Sequence, residues 1–188
     1  MGYNQKDLEI LERQLGRKPR NLVDIIKRCK DGSPQVVVTA PILDKGDSIG
    51  IFPTTLWLTC PELNYRIGKL ESRGLVQEVQ NKILGDKKLS KRLAEAHKDY
   101  ANYRMSLVED DRLEDLKENN PGQYKVLKES GVGGILEFEG IKCLHTHFAQ
   151  YLVDEKNPVG EMVAELLKKE YGQIEPEECS MGESLEEE

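Results

Sequence analysis

Aromatic side chains are scarce in this chain. They make up 6% of 188 residues, with one tryptophan and three phenylalanines, so a core must rest on aliphatic residues. No apolar run approaches the roughly 20 residues that cross a bilayer, which argues against a spanning helix and against a membrane partner. The polar stretch Met1 to Leu11 holds no hydrophobic segment behind a basic one, so no secretory signal is read there and a cytoplasmic protein is expected. Disulfides are rare in that compartment, and the four cysteines are expected as free thiols or ligands. They form no Cys-x-x-Cys knuckle, and no Walker phosphate loop occurs, so local spacing defines neither a zinc ribbon nor a P-loop enzyme.

Charge, in contrast, is abundant at 32% of residues, and the net charge of -7 belongs to one end. From Gln173 onward the acids are Glu175, Glu177, Glu178, Glu183, Glu186, Glu187 and Glu188, with no lysine or arginine. Without these seven, 27 acids face 27 bases. The expectation is one domain over residues 1–172 and an acidic, disordered tail over 173–188 that solubilises the protein or docks a protein partner. Cys179 reads as a bystander inside that tail. At the other end Arg13, Arg17, Lys18, Arg20, Lys27, Arg28 and Lys30 outweigh Asp24. A solvated basic face is the plainer reading, with nucleic acid not the expected partner.

The apolar spacing predicts an α+β fold: a small antiparallel β-meander near the N-terminus followed by a mostly helical body. Leu8, Leu11 and Leu15 place a first helix over Asp7 to Leu15, closed by Gly16. Strands are expected at Leu22 to Arg28, Gln35 to Ala40 and Thr54 to Thr59, with turns at Asp31 to Pro34 and Asp44 to Gly50. Helices follow from Pro61 to Gly74, Leu75 to Leu84, Lys88 to about Val108, Pro121 to Glu129 and Ile141 to Leu152. The last runs from Pro158 to Tyr171, with Asn157 as its N-cap. His97 and Arg104 flank the stripe of the longest helix and are expected as satisfied core or surface groups.

Chemistry concentrates between Gly140 and Gln150, where Cys143, His145 and His147 hold one cysteine and two of the three histidines. If this segment is a regular helix, Cys143 and His147 share one face, four residues apart, and His145 turns toward the core. Cys60 ends the third strand and precedes Pro61, so it is expected at a helix N-cap, where free N–H groups favour a thiolate. Cys29 ends the first strand, on the same side of the meander as Cys60. The expected metal ligands are therefore Cys60, Cys143 and His147, completed by His145 or Cys29. Zn²⁺ is the expected ion, with iron or an iron–sulfur cluster as the alternative. Without a metal, Cys60 reads as a catalytic nucleophile with His145 or His147 as its base.

Several stretches resemble a bacterial family known only as domain-of-unknown-function family 501. They include Arg13-Gln14-Leu15-Gly16-Arg17, Phe52-Pro53-Thr54-Thr55-Leu56-Trp57-Leu58-Thr59-Cys60-Pro61, Lys142-Cys143-Leu144-His145 and Asn157-Pro158-Val159-Gly160. The resemblance covers about Leu11 to Glu170 and implies no activity. In some actinobacteria its members look to be encoded near a septum-formation protein and an exopolyphosphatase. Relatives are similar in carrying a second cysteine shortly after the position of Cys29, where this chain reads Cys29-Lys30-Asp31-Gly32.

Two functions remain open on these residues. One is a metal- or thiolate-centred protein, hydrolytic on a phosphate or acyl substrate if the ion keeps an open coordination position. The other is a non-catalytic interaction module with structural cysteines and histidines, binding a protein or nucleic-acid partner.

Overall fold

The computed structural model describes residues 2–44, 46 and 48–179. Helix α1 (Gln5–Leu15) opens with a reciprocal cap: Asn4 Oδ1 accepts from the Asp7 N–H, and the Asp7 carboxylate accepts from the Asn4 N–H, each at 3.0 Å. Gly16, at φ +65°, closes the helix in the left-handed region that a side chain disfavours. Arg28 grips the Asp7 carboxylate with both terminal nitrogens, at 2.6 and 3.0 Å, and so ties α1 to the first strand.

The strands β1 (Leu22–Arg28), β2 (Pro34–Thr39) and β5 (Leu56–Leu58) form an antiparallel sheet in the order β1-β2-β5. The expected meander is therefore present, with its third strand shorter than the Thr54 to Thr59 run. Central β2 is buried on both faces, and this explains its unbroken Val36-Val37-Val38. Val37 packs with Leu11 of α1 and Ile25, while Val36 and Val38 face the main core. Between β2 and β5 the structure adds a small hairpin, β3 (Ile42–Asp44) and β4 (Ile49–Ile51), where only a turn was expected. Three-residue strands are too short to announce themselves by alternation.

The helical body comprises α2 (Pro61–Ser72), α3 (Leu75–Leu84), α4 (Lys87–Met105), α5 (Asp110–Asn119), α6 (Pro121–Glu129), a single 3₁₀ turn at Val132–Gly134, α7 (Leu144–Asp154) and α8 (Pro158–Tyr171). Helix α5 was not anticipated, because its sequence, Asp-Asp-Arg-Leu-Glu-Asp-Leu-Lys-Glu-Asn, has two apolar positions and buries only Leu116. Helix α7 crosses β5, α2 and α8. It meets α8 at Gly160, where a Cβ would stand 2.2 Å from Tyr151 Cβ and 2.8 Å from the His147 carbonyl oxygen. The N-cap of α8 is Asn157, as expected, accepting from the Val159 and Gly160 N–H groups at 2.9 and 3.2 Å.

The acidic tail requires correction over its first part. Residues 173–179 pack back along the sheet: Ile174 joins the core, Glu175 accepts from Gln35 at 3.0 Å, and the Cys179 N–H donates to Asp31 at 2.7 Å. The remainder, residues 180–188, lies outside the described residues. No described helix is long and apolar enough to cross a membrane.

Candidate functional site

Three thiols meet where the sheet gives way to α2. Cys29 follows β1, Cys60 sits at the N-cap of α2, and Cys179 arrives from the C-terminal segment; their sulfurs all lie within 4.8 Å of one another. All three are buried, at 5%, 0% and 6% exposure. Local chain chemistry puts each in place. The Cys29 N–H donates to Ser33 O at 2.9 Å across the Asp31-Gly32-Ser33 turn, and Pro61 at the first helical position fixes Cys60 as the cap. Asp31 then anchors Cys179 through its backbone N–H.

Electrostatics single out Cys60. The neighbouring Cys179 and Cys29 thiols, and then the Leu63 and Glu62 N–H groups at the helix start, hold its thiol well below the usual range against the cost of burial. Cys29 moves the other way, pushed up by the thiols of Cys179 and Cys60 and by burial. Cys179 is raised as well, so Cys60 is the one thiol of the three that is favoured as a thiolate. Gln14 adjoins the cluster: its Nε2 donates to Cys179 Sγ at 3.4 Å and to Pro34 O at 2.9 Å. The Gln14 Oε1 atom is buried with no partner among the described residues.

This donor set fits a thiophilic ion. Sulfurs held about 2.3 Å from a tetrahedral Zn²⁺ stand just under 4 Å apart, a separation that lies inside the 4.8 Å within which these three are found. The three thiols are placed to hold a metal, with Gln14 as the hydrogen-bonding group beside them.

The expected ligand set of Cys60, Cys143 and His147 with His145 or Cys29 is not assembled. Cys60 and Cys29 are joined by Cys179, the residue read as a bystander. Cys143 is not on helix α7 at all: it is the extended N-cap, at φ -153° and ψ 156°, so the four-residue spacing to His147 does not put the two on one face. Cys143 groups instead with His145 and Glu71 of α2. The reading of His145 as core-facing is likewise corrected, since its side chain is 27% exposed and bonded to Glu71 and the Asn64 carbonyl. His145 is thereby removed from Cys60 as well, because its ring nitrogens are committed to Glu71 and Asn64.

His147 is fully buried in a different network. Asn157 Nδ2 stands 3.0 Å from its Nδ1 and 2.8 Å from Gln150 Oε1, and the ring meets His97 edge-on at 5.5 Å between centroids. His97 in turn accepts from the Val132 N–H at 2.9 Å and donates to Gly140 O at 3.1 Å. These two histidines are core groups, as is Arg104, which is buried among carbonyl oxygens.

Two further sequence patterns are disposed of by the fold. Cys60 and Arg66 have the spacing of a thiol-phosphatase loop, but the intervening residues are the first turns of α2, with Arg66 bonded to Glu62 at 2.7 Å. Gly46, Ser48 and Gly50 have nucleophile-elbow spacing, yet Gly50 lies within β4 and the next element is strand β5 rather than a helix.

The opposite face of the sheet carries a half-open groove of about 370 Å³ between the end of α1 and the β3–β4 hairpin. Trp57 and Phe52 give it an apolar wall and Arg17 and Arg20 a positive rim. Neither arginine has an ion-pair partner among the described residues.

These features define an α+β protein with a buried three-thiol cluster at a sheet-to-helix junction. The chain belongs to the family described as Protein of unknown function (DUF501), whose model matches residues 25–165. Cys179 lies beyond that match, so one of the three thiols comes from outside the family's matched region. No curated protein and no solved structure matches the chain.

Proposed function

We propose that this protein is a cytoplasmic, metal-stapled binding module, in which Cys29, Cys60 and Cys179 hold a structural Zn²⁺, with iron as the alternative ion. One observation carries the reading: three buried sulfurs from three distant parts of the chain lie within 4.8 Å of one another. The metal would supply cross-linking, clamping the C-terminal segment to the sheet edge. The burial of the sulfurs supports a structural ion over a hydrolytic one, which needs a coordination position that substrate can reach.

Elemental analysis of untagged, full-length protein tests this. About one equivalent of zinc or iron is expected, lost in Cys60→Ser and in Cys179→Ser. Metal-free protein whose melting temperature is the same in all three forms would overturn it.

The arginine-rimmed groove favours the interaction reading for the module's activity, with an anionic ligand that carries a ring to lie against Trp57. Trp57 is the only tryptophan, so its fluorescence reports occupancy directly. Titration with a nucleoside triphosphate is expected to change that emission, and Arg17→Ala with Arg20→Ala to abolish the change. An unaltered emission at millimolar probe would remove the groove from consideration.

A further inference from the structure

Cys143, His145 and Glu71 form a second cluster, separate from the three thiols. Both ring nitrogens of His145 face acceptors: Nδ1 stands 3.1 Å from Glu71 Oε1 and Nε2 stands 3.1 Å from the Asn64 carbonyl oxygen. A carbonyl can only accept, and so can an ionised carboxylate, so both nitrogens carry protons and the ring is an imidazolium. An imidazolium has no lone pair for a metal, which separates this cluster chemically from the thiol centre. It does supply a cation beside Cys143 Sγ.

Three further features favour a thiolate there. The Thr146 hydroxyl lies 3.3 Å from Cys143 Sγ. Cys143 caps the eleven-residue α7, whose N–H groups and dipole stabilise negative charge. The Leu144 N–H donates to Glu71 Oε1 at 2.6 Å, locking the carboxylate that in turn orients His145. Burial and the Glu71 charge oppose ionisation of Cys143, but the neighbouring His145 and Thr146 outweigh both and lower the thiol. Burial likewise opposes protonation of His145, whose bonds to Cys143, Asn64 and Glu71 raise it to about 9. Glu71 is the charged group facing the pair from α2, and neighbouring Lys142 packs over Gly133. Unlike the three-thiol centre, this cluster reaches solvent: His145 and Glu71 are 27% and 24% exposed and Cys143 is half-buried.

We propose that Cys143 is a reactive thiolate, ion-paired with His145 and oriented by Glu71, that small hydroperoxides oxidise to a sulfenic acid. The Cys143 sulfur attacks the terminal peroxide oxygen, forming the S–O bond as the O–O bond breaks. Sulfur gives up two electrons and the peroxide is reduced. The departing alkoxide or hydroxide takes a proton from the solvent that reaches this half-exposed site and leaves as alcohol or water, while the imidazolium keeps its bonds to Glu71 and Asn64. Cys29, Cys60 and Cys179 belong to the other cluster, so the sulfenic acid is returned to the thiol by two equivalents of an external thiol, with release of water and a disulfide.

The test is alkylation of the full chain by iodoacetamide from pH 5 to 10, resolved by peptide mass spectrometry, together with dimedone trapping after hydrogen peroxide. Cys143 is expected to reach half its maximal rate well below the ordinary thiol midpoint of about 8.5. His145→Gln is expected to raise that midpoint by about one unit and to slow labelling at pH 6 about tenfold. A dimedone adduct on Cys143 is expected in the wild type. A wild-type midpoint at or above about 8.5, or peroxide-treated protein with no adduct on Cys143, overturns the proposal whatever the stability of the variant.

Discussion

Asn157 Nδ2 donates to His147 Nδ1 across 3.0 Å, and this bond sets the protonation state of a fully buried imidazole. The amide orientation is not free. Asn157 Oδ1 accepts the Val159 and Gly160 N–H groups at the start of α8, so its NH₂ must face His147 and Gln150. His147 is therefore neutral with its proton on Nε2, an atom with no hydrogen-bond partner among the described residues.

That arrangement makes the fold acid-sensitive. Burial, and then the neighbouring His97, depress His147 to about 3, and burial depresses His97 to about 4. Both values lie below the unfolded value near 6.5. The unfolded chain therefore takes up protons first as pH falls, so stability held above pH 6.5 is lost on the way down toward 3–4. By pH 5 the loss is about 2 kcal/mol for each histidine. Urea melts from pH 7 to 5 are expected to show this slope, and His147→Gln to reduce it by about half, leaving the His97 share. A slope unchanged in that variant would refute the assignment.

Arg104 is the least replaceable side chain of the helical body. It is fully buried and donates from Nε and Nη2 to Leu127 O at 2.8 and 2.6 Å, from Nη1 to Pro53 O at 2.8 Å, and from Nη2 to Ser130 O. Two of these carbonyls belong to the C-terminal end of α6, where the helix dipole favours a cation. Burial lowers the guanidinium to about 10, which leaves it charged at neutral pH. Arg104→Met is expected to cost roughly 3 kcal/mol or more, since three carbonyls lose their donors. Arg104→Lys is expected to recover little, because one ammonium cannot span the three positions. Denaturant midpoints within about 1 kcal/mol of wild type in both variants would contradict this role.

Gly160→Ala probes the α7–α8 crossing. The new methyl would meet Tyr151 Cβ at 2.2 Å and backbone oxygen at 2.8 Å, neither of which can rotate away. The helices must separate, at a cost of about 3 kcal/mol. A thermal melt within about 2 °C of wild type would show that the crossing tolerates the methyl.

Metal removal gives a fourth expectation. A strong chelator is expected to lower the melting temperature of the wild type and to leave Cys179→Ser, already without the third ligand, unchanged. Truncation after Gly172 is expected to abolish the chelator effect in the same way. An equal fall in all three proteins would place the chelated ion elsewhere.

Much of the fold was legible because periodicity and punctuation agree over long elements. Leu75–Leu84, Pro121–Glu129 and Pro158–Tyr171 begin and end where Gly74, Gly85, Pro121, Asn157 and Gly172 dictate. Helix α5 and the β3–β4 hairpin were missed because polar or very short elements carry no pattern of their own and depend on packing. At the site, Cys60 was legible from its place before Pro61, and Cys29 from its position at the same sheet edge. Cys179 was not: its surroundings are acidic and poor in apolar residues, and only the Asp31 bond and the path of Gln173 to Cys179 reveal it. The start of α7 had the same character. Apolar Ile141 fits the helical stripe, but the helix begins at Leu144, where Glu71 accepts the first free N–H.

By itself the sequence determined the α+β class, the order of the main elements and the residue types that carry chemistry, because those depend on local spacing and capping. Only the tertiary structure decided the partners: Cys29 and Cys60 with Cys179, Cys143 with His145 and Glu71, and His147 with Asn157. The reason is physical. Each grouping is made by backbone paths that approach across the fold, and a three-residue shift in a helix start, as at Leu144, redirects a side chain from one partner to another.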